Sequence, residues 1–220
     1  MKLRLTLFFY YLYSFLFCIR YLCFRDAIKV PILIHPSVRI KGLGKGRIEI
    51  KDPIKRSMII IGLDGALGRS NCKSLLYINK GAKLILHKNT TLAKGIRMVI
   101  NKGVVEIGRD FYCNGDCSFF CNMSIKIGNG NLFGWNVHFN TTDGHSFYVN
   151  EEQTQMSASI IVRDHVWVGA NSIISKGSDI ASECVVAQCS LVNRKFNQKH
   201  CLIGGIPARV IKENIGWAEK

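Results

Sequence analysis

Apolar residues recur at every sixth position in the C-terminal half of the chain. The positions of one such series are all β-branched and aliphatic: Val162, Val168, Ile174, Ile180, Val186 and Val192. Four positions after each of them lie mostly small residues: Val166, Ser172, Ser178, Cys184, Ser190 and Phe196. A period of six fits neither an α-helix nor a simple alternating strand, so it predicts a short strand and a turn that repeat together.

Three such units would close one triangular coil of about 18 residues, with aliphatic side chains inside and small residues at the corners. Coils of this kind stack through parallel backbone hydrogen bonds, which makes the expected fold an all-β parallel β-helix. The period recurs in earlier series, with a two-residue slip between the first two: Ile107, Cys113 and Phe119; Ile127, Phe133 and Phe139; and less cleanly Leu86, Leu92 and Met98. Before residue 75 the pattern is poor, although residues 34–38 look like a first strand and turn.

The N-terminal segment has a different character. Residues 5–19 carry no charge, and they lie between Lys2 and Arg4 on one side and Arg20 and Arg25 on the other. This stretch is shorter than the roughly 20 apolar residues of a membrane-spanning helix, and its Phe and Tyr residues favour a membrane interface. We therefore expect residues 1–25 to form a helix in or on an anionic membrane surface. One alternative is a membrane span that ends near Phe24, with the Arg20 side chain extended to the headgroups, and the other is a helix that covers one end of the fold or contacts a partner subunit.

Composition and charge fit one globular domain with a small appendage. The 220 residues are 48% hydrophobic and 20% charged, with a net charge of +15. Residues 1–56 alone contain 12 Lys or Arg and 3 Asp or Glu. Such a charge suits nucleic acid, an acidic membrane or an anionic substrate. No helix-turn-helix, zinc-finger or RNA-recognition pattern accompanies it, so nucleic acid is not an expected partner.

The nine cysteines do not indicate a metal site or a disulfide framework. They include no C-x-x-C pair, no Cys/His cluster has zinc spacing, and their number is odd. We interpret them as small apolar residues of a protein in a reducing cytoplasm, and we expect no metal.

Residues 162–192 and 203–212 resemble the hexapeptide-repeat acyltransferases, in particular the galactoside, maltose and nodulation-type acetyltransferases and the polysaccharide O-acetyltransferases. The most specific matches are VWVGAN at 166–171 and G-x-P-A-R-V-I-K at 205–212, and related motifs extend over residues 105–213. Ala181 and Ala187 replace usual turn glycines, and Gly205 replaces a usual asparagine. The resemblance implies a left-handed parallel β-helix, over residues 26–203, followed by a short C-terminal tail at 204–220.

The resemblance also implies a catalytic base. His145 lies in FNTTDGHSFY, where the repeat stops, and the repeat resumes near Ile160, so residues 145–160 are expected to form an active-site loop. Related enzymes carry their catalytic histidine at this exit point; the alternative is a surface histidine without a role. Asp143 is interpreted either as the residue that orients His145 or as part of an Asp-Gly turn. Asn114 matches a family asparagine that contacts the acceptor hydroxyl, and it could equally be a turn residue.

Acetyl-CoA is the co-substrate that the resemblance implies. Family positions for its binding correspond to seven residues: Trp167, Ala170, Gln188, Arg194, Lys195, Arg209 and Lys212. The basic members would meet the phosphates and Trp167 the acetyl and pantetheine end. The alternatives are ordinary surface charge for the basic residues and core packing for the tryptophan.

The expected activity is acetyl transfer to a sugar hydroxyl in surface polysaccharide or lipid-linked glycan synthesis, by a homotrimer on the inner face of the cytoplasmic membrane. Alternatives are a serine or antibiotic acetyltransferase and a non-catalytic solenoid scaffold. A γ-carbonic anhydrase is disfavoured, because His138, His145 and His165 lack its zinc spacing.

Overall fold

The computed structural model describes residues 2–63 and 71–218, with side chains from residue 8 onward. Three sheets, here called A, B and C, enclose one apolar interior. Sheet A contains β1 (Ile32–Ile34), β4 (Ile59–Ile61), β7 (Thr90–Leu92), β10 (Phe111–Cys113), β13 (Leu132–Phe133), β18 (Trp167–Val168), β21 (Val185–Val186), β24 (Leu202–Gly205) and β25 (Ala208–Lys212). Sheet B contains β2 (Arg39–Lys41), β5 (Leu75–Ile78), β8 (Arg97–Ile100), β11 (Ser118–Cys121), β14 (His138–Asn140), β19 (Ile173–Ser175) and β22 (Leu191–Val192). Sheet C contains β3 (Ile48–Ile50), β6 (Lys83–Leu86), β9 (Val104–Ile107), β12 (Ser124–Ile127), β17 (Ile160–Val162), β20 (Asp179–Ile180) and β23 (Lys195–Phe196).

Successive strands visit A, B and C in turn, so the chain winds into seven stacked coils, numbered from the N-terminus, and β24 begins a partial eighth coil. We name the corners of the prism AB, BC and CA after the sheets that they join. Strands of neighbouring coils pair in parallel, as when Cys113 pairs with Phe133 and Phe133 with Val168. The six aliphatic residues of the 162–192 series are at most 1% exposed and point into the prism. The predicted parallel β-helix is therefore confirmed.

The corners explain the small residues of the repeat. Ser172, Ser178 and Ser190 are buried at corners, and their hydroxyls donate to backbone carbonyls, as from Ser190 Oγ to the Ala187 oxygen at 2.7 Å. Many corner residues have a left-handed backbone, such as Asn89 at φ 56° and Asp110 at φ 54°. Asn and Asp adopt this conformation at low cost, which lets the chain turn sharply without glycine.

Four phenylalanines fill the interior of coils 4 and 5. Phe111 and Phe133 meet edge to face with ring centroids 5.0 Å apart, and Phe119 and Phe139 stack at 4.9 Å. All four are at most 1% exposed. Burial of rings on this scale makes these coils a rigid support for whatever lies on their outer corners.

Two helices cover the N-terminal end of the prism: α1 (Lys2–Tyr21) and α2 (Phe24–Ala27). Phe17, Cys18 and Leu22 are buried against the first coil. Ser14 Oγ accepts a hydrogen bond from the Ile34 N–H at 2.9 Å, so the helix satisfies a backbone donor of the first strand. In the described part of the chain no helix combines the length and apolarity needed to cross a bilayer.

The sequence of the first two coils does not show the six-residue period because the connections between their strands are long. Residues 42–47 connect two strands of coil 1, residues 51–58 lead from coil 1 to coil 2, and residues 62–74 connect the first two strands of coil 2. These connections disturb the spacing along the chain while the strands stay in register through space, as when Ile32 pairs with Ile59.

A buried carboxylate ties coils 1, 2 and 3 together at corner CA. Asp52 is 7% exposed; it accepts from Arg109 Nε at 2.9 Å and from the Lys88 N–H at 3.0 Å, and lies 3.1 Å from His87 Nδ1. Burial by itself would raise the pKa of this carboxyl, but the hydrogen bonds from Lys88, Arg109 and His87 together lower the pKa to about 2.

The depressed pKa predicts an acid-sensitive contribution to stability. A carboxyl with a lowered folded-state pKa stabilises above its unfolded pKa, and this contribution is lost as pH falls through the folded value. For Asp52 the loss should amount to about 2 kcal/mol between roughly pH 4 and pH 2. The Asp52→Asn variant should lack this pH-dependent component when urea unfolding is followed across that range.

Asp110→Asn is the matched control, because Asp110 is exposed, accepts a hydrogen bond from an Asn89 amide, and has a left-handed backbone that Asn tolerates. Its pH profile should follow that of the unsubstituted protein. If the free energy of unfolding depended on pH in the same way in all three proteins, Asp52 would not be the source of the acid-sensitive stability.

Candidate active site

The largest excursion among the described residues leaves the prism at corner BC of coil 5. It starts after Asn140, earlier than the predicted loop at 145–160, and it ends before Ile160, which already belongs to β17. Within it, β15 (Tyr148–Val149) and β16 (Glu152–Gln153) form a small antiparallel hairpin. The excursion therefore projects from a fixed base, because both of its ends continue into strands of the prism.

Lys176, at corner BC of coil 6, holds the base of this excursion. Its Nζ lies 2.7 Å from Asp143 Oδ2 and also donates to the Gln155 carbonyl. The Asp143 carboxylate is thus engaged by a lysine, and the Asp143 N–H donates to the Met156 carbonyl at 2.9 Å. A role for Asp143 in orienting His145 stays a prediction.

His145 lies in the chain between Asp143 at the base of the excursion and the hairpin, and its side chain is exposed. No hydrogen bond joins its imidazole to any residue in the ranges 2–63 and 71–218. The backbone of Gly144 lines an open cleft of about 290 Å³ on the outer face of sheet B. The side chains around this cleft include one aromatic ring and several amides, which are suited to a sugar: Phe120, Asn101, Asn122 and Asn140.

Asn114 lies at corner AB of coil 4, at the other edge of sheet B. Its side chain is buried, and the Tyr112 hydroxyl donates to Asn114 Oδ1 at 3.4 Å. Below it the corresponding positions of the next coils carry very small residues: Gly134, Gly169, Ala187 and Gly204. The Asn114 N–H donates to the Phe133 carbonyl at 3.0 Å, so this residue belongs to the same backbone ladder as the small residues.

The column of small residues leaves corner AB almost without side chains in coils 5–8, and we call this stretch the bare backbone of corner AB. A Cβ added to Gly169 would lie 2.7 Å from the Gln188 nitrogen, and one added to Gly134 would lie 2.7 Å from the Ala170 nitrogen. Ala170 and Gln188 therefore occupy equivalent corner positions in coils 6 and 7. The glycines are needed for this close stacking of the coils, because Gly134, Gly169 and Gly204 are buried and the N–H groups of Gly134 and Gly169 already donate to carbonyls of the next coil.

Trp167 lies in sheet A of coil 6, and its side chain is 39% exposed on the outer face, so core packing does not explain it. The C-terminal segment returns to the same place. The Trp217 ring stacks on His165 with centroids 4.1 Å apart, its Nε1–H donates to the His165 carbonyl at 3.1 Å, and it lies 6.3 Å from the Trp167 ring.

The predicted basic residues fall into two places. Arg209 and Lys212 are exposed on β25, which runs antiparallel to β24 and pairs Gly204 with Arg209 at the AB end. Arg194 and Lys195 are exposed at corner BC of coil 7.

The candidate residues therefore form two groups within one chain. Asn114, Ala170, Gln188 and Arg209 follow corner AB, whereas a second group follows corner BC: Asp143, His145, Arg194 and Lys195. Sheet B separates the two groups, so a single chain does not bring the predicted base next to Asn114.

Sequence reasoning missed three residues that the structure places around the candidate site. Trp135, next to the bare corner of coil 5, is 39% exposed; Lys176 binds the loop; and Trp217 lies over His165. The exposure of Trp135 could have been predicted from the sequence, because a large aromatic residue at a corner of the repeat cannot point into the prism. The other two depend on contacts between distant residues, which no periodic pattern records.

The structure thus combines a parallel β-helix, an excursion with an exposed histidine and a corner of small residues, which are features that the resemblance to acyltransferases predicted. No protein-family model matches the chain. The chain is 35% identical over 198 residues to an uncharacterised 24.8 kDa protein in the cps region of Klebsiella pneumoniae, covering 90% of this chain and 86% of that protein. It is 28% identical over 151 residues to the polysialic acid O-acetyltransferase of Escherichia coli O1:K1, covering 68% of this chain and 42% of that protein.

The solved structure of the polysialic-acid-specific acetyltransferase NeuO shares the fold, with a TM-score of 0.54 and 21% identity over 86% of this chain and 72% of that one. The chain belongs to the hexapeptide-repeat acyltransferase family, and its fold is the left-handed parallel β-helix of that family.

Proposed function

We propose that this protein transfers the acetyl group of acetyl-CoA to a hydroxyl of a sugar, in the synthesis of a surface polysaccharide or lipid-linked glycan. Family membership and relatives named as O-acetyltransferases support this function. The observation that carries it is the exposed His145, which directly follows Gly144 in the lining of a cleft rich in amide side chains on coils 3–5. A polysialic acid or galactoside acceptor is a property of those relatives.

The chemistry assigned to His145 is general base catalysis. An alcohol is a weak nucleophile near neutral pH, so a ring nitrogen of His145 would take the hydroxyl proton while the oxygen attacks the thioester carbonyl. Collapse of the tetrahedral intermediate forms the ester and breaks the C–S bond. The proton then passes from the imidazolium to the departing thiolate, which leaves as coenzyme A.

We place the pantetheine arm along the bare backbone of corner AB. The column from Gly134 to Gly204 leads from Asn114 towards Arg209, and the exposed Trp135 and Trp167 lie beside it. The exposed tryptophan rings offer apolar contact to the arm, and Arg209 and Lys212 supply positive charge for the phosphates.

A complete site requires a second copy of the chain. The two candidate groups lie on opposite edges of sheet B, so joining corner AB of each chain to corner BC of the next closes a ring of three with the B sheets inward. Exposed apolar side chains support this arrangement: Phe120 and Ile173 on sheet B, and Phe147 and Tyr148 on the excursion. Each active site would then combine Asn114 of one chain with His145 of its neighbour.

Helix α1 supports attachment to an anionic membrane. One face is buried on the first coil, whereas Phe8, Leu12 and Leu16, spaced by four residues, are 43–62% exposed on another face. Further exposed side chains continue this surface: the apolar Phe24 and Ile28, and the basic Arg20, Arg25 and Lys29. Such a combination of apolar area and positive charge binds the headgroup region of an acidic bilayer. We accordingly place the protein on the inner face of the cytoplasmic membrane.

Replacement of His145 by Ala should lower kcat for acetyl transfer by about 10²–10⁴, the usual contribution of a general base. The circular dichroism spectrum should not change, because the His145 side chain is exposed and belongs to no strand of the prism. His200→Asn is the control, since His200 is an exposed corner histidine in a left-handed conformation. Near-normal turnover of the His145→Ala protein would exclude the mechanism.

Mixed oligomers test the shared site. His145→Ala and Asn114→Ala proteins should each be nearly inactive, whereas equal amounts assembled together should recover about a quarter of the normal activity per site, because random trimers restore some His145–Asn114 pairs. Light scattering of each protein should give three times the 24.8 kDa chain. An inactive mixture of intact trimers would show that the two residues do not act across chains.

The exposed stripe of α1 can be tested without disturbing its buried face. The combined variant Phe8→Ser, Leu12→Ser and Leu16→Ser should bind vesicles of anionic lipid at least about tenfold more weakly, because it lacks most of the apolar contact area. Ile206→Ser with Ile211→Ser removes exposed apolar side chains from the opposite end and should leave vesicle binding unchanged. Full binding by the stripe variant in flotation assays would contradict membrane attachment through α1.

A further inference from the structure

The outer face of sheet B carries a cluster of positive charge in coils 1–3. Arg39, Lys41, Lys73 and Arg97 surround a depression of about 170 Å³ that is also lined by Ser74 and Leu75. All four basic side chains are exposed, and none forms an ion pair within residues 2–63 and 71–218. The described lining of the depression contains no carboxylate. We call these four residues the basic cluster.

Sheet C shows how this protein neutralises charge elsewhere. On and beside that sheet, Glu49 pairs with Lys51 and Lys83, and Asp179 pairs with Arg163 at 2.9 Å. By contrast, none of the seven strands of sheet B contains an Asp or Glu. Like charges gathered without counterions raise the electrostatic energy of the folded protein, so the basic cluster favours an external anion.

The basic cluster is continuous with the candidate acceptor cleft. Arg97 and Val99 are two positions apart on β8 and point to the same outer face. Val99 also lines the cleft, together with Phe120 and Asn140. The one carboxylate among the described residues of that cleft, Asp143, is already paired with Lys176.

The cluster and the coenzyme groove extend in opposite directions from the candidate site. The bare backbone of corner AB lies in coils 5–8, whereas the basic cluster lies in coils 1–3, on the side of α1. In the proposed trimer, the AB edge of these coils would face exposed lysines at corner BC of the neighbour: Lys45, Lys80 and Lys102. An anion between the two chains would separate these like charges.

We propose that the acceptor is an anionic glycan, whose carboxylate or phosphate groups bind the basic cluster while the sugar to be acetylated occupies the cleft beside His145. This assignment rests on the proposed acetyl transfer to a sugar and specifies the chemical class of its acceptor. Guanidinium and ammonium groups bind carboxylates and phosphates through charge-assisted hydrogen bonds, and exposed pairs of this kind weaken as salt is added.

The experiment uses the full-length protein and four probes: a hexuronic acid oligosaccharide, its carboxyl-reduced counterpart, a phosphodiester-linked oligosaccharide and a neutral oligosaccharide of equal length. Binding is measured by calorimetry, and transfer is measured as KM for each acceptor and for acetyl-CoA. The variant combines Arg39→Gln, Lys41→Gln and Arg97→Gln. The control combines Lys51→Gln, Lys83→Gln and Lys126→Gln on or beside sheet C, which removes the same charge from another face.

At low salt, at least one anionic probe should bind the unsubstituted protein about tenfold or more tightly than its uncharged counterpart, and added salt should reduce this preference. The cluster variant should lose the preference for the anionic probe, whereas its KM for acetyl-CoA should stay unchanged. The control variant should keep the preference. The anionic probe that is preferred identifies carboxylate or phosphate as the recognised group.

Equal affinity for charged and neutral probes, or an equal loss in the control variant, would overturn the proposal. It would also be overturned if the cluster variant lost binding to anionic vesicles while keeping its glycan preference, because the cluster would then be a lipid site. Binding of an anionic probe without acetyl transfer to any sugar would support the anion site and contradict the proposed activity, so the two failures are separable.

Discussion

The structure depends on the parallel backbone hydrogen bonds between successive coils. Each strand donates to and accepts from the strand one coil away, so every coil must keep register with the coil below it. This requirement explains the inward aliphatic residue at every sixth position and the limited set of residues at the corners. An insertion is tolerated only where it leaves the prism at a corner, because any other place would break the ladder. Corners and insertions are consequently the places where this protein can carry chemistry.

The sequence predicted the fold best where the corners are tight. From Val162 to Val192 each corner has the minimal length, so the spacing along the chain equals the spacing around the prism. In coils 1 and 2 the connections at 42–47 and 62–74 vary in length, and the register of those strands is visible only through space. Linear periodicity cannot report a strand alignment that long connections have shifted.

The candidate site was predictable in part, for a related physical reason. His145 was found because an interruption of a regular repeat is visible in the sequence itself. The pairing of Asp143 with Lys176, and the return of Trp217 to His165, join residues from different coils and leave no mark in a local pattern. The separation of Asn114 from His145 by sheet B also follows only once each residue is assigned to a corner.

The way in which α1 covers the first coil has a consequence for self-association. A prism built from stacked coils ends in strands whose backbone groups would accept another strand, and such open edges lead to filaments. Here Ser14 Oγ accepts a hydrogen bond from the Ile34 N–H, and Phe17 and Leu22 cover the apolar interior of the first coil. At the other end β25 folds back against β24 in antiparallel fashion and interrupts the parallel ladder of sheet A. The two termini thus limit the length of the solenoid, and a chain deprived of α1 would offer its first coil as a template for end-to-end polymerisation.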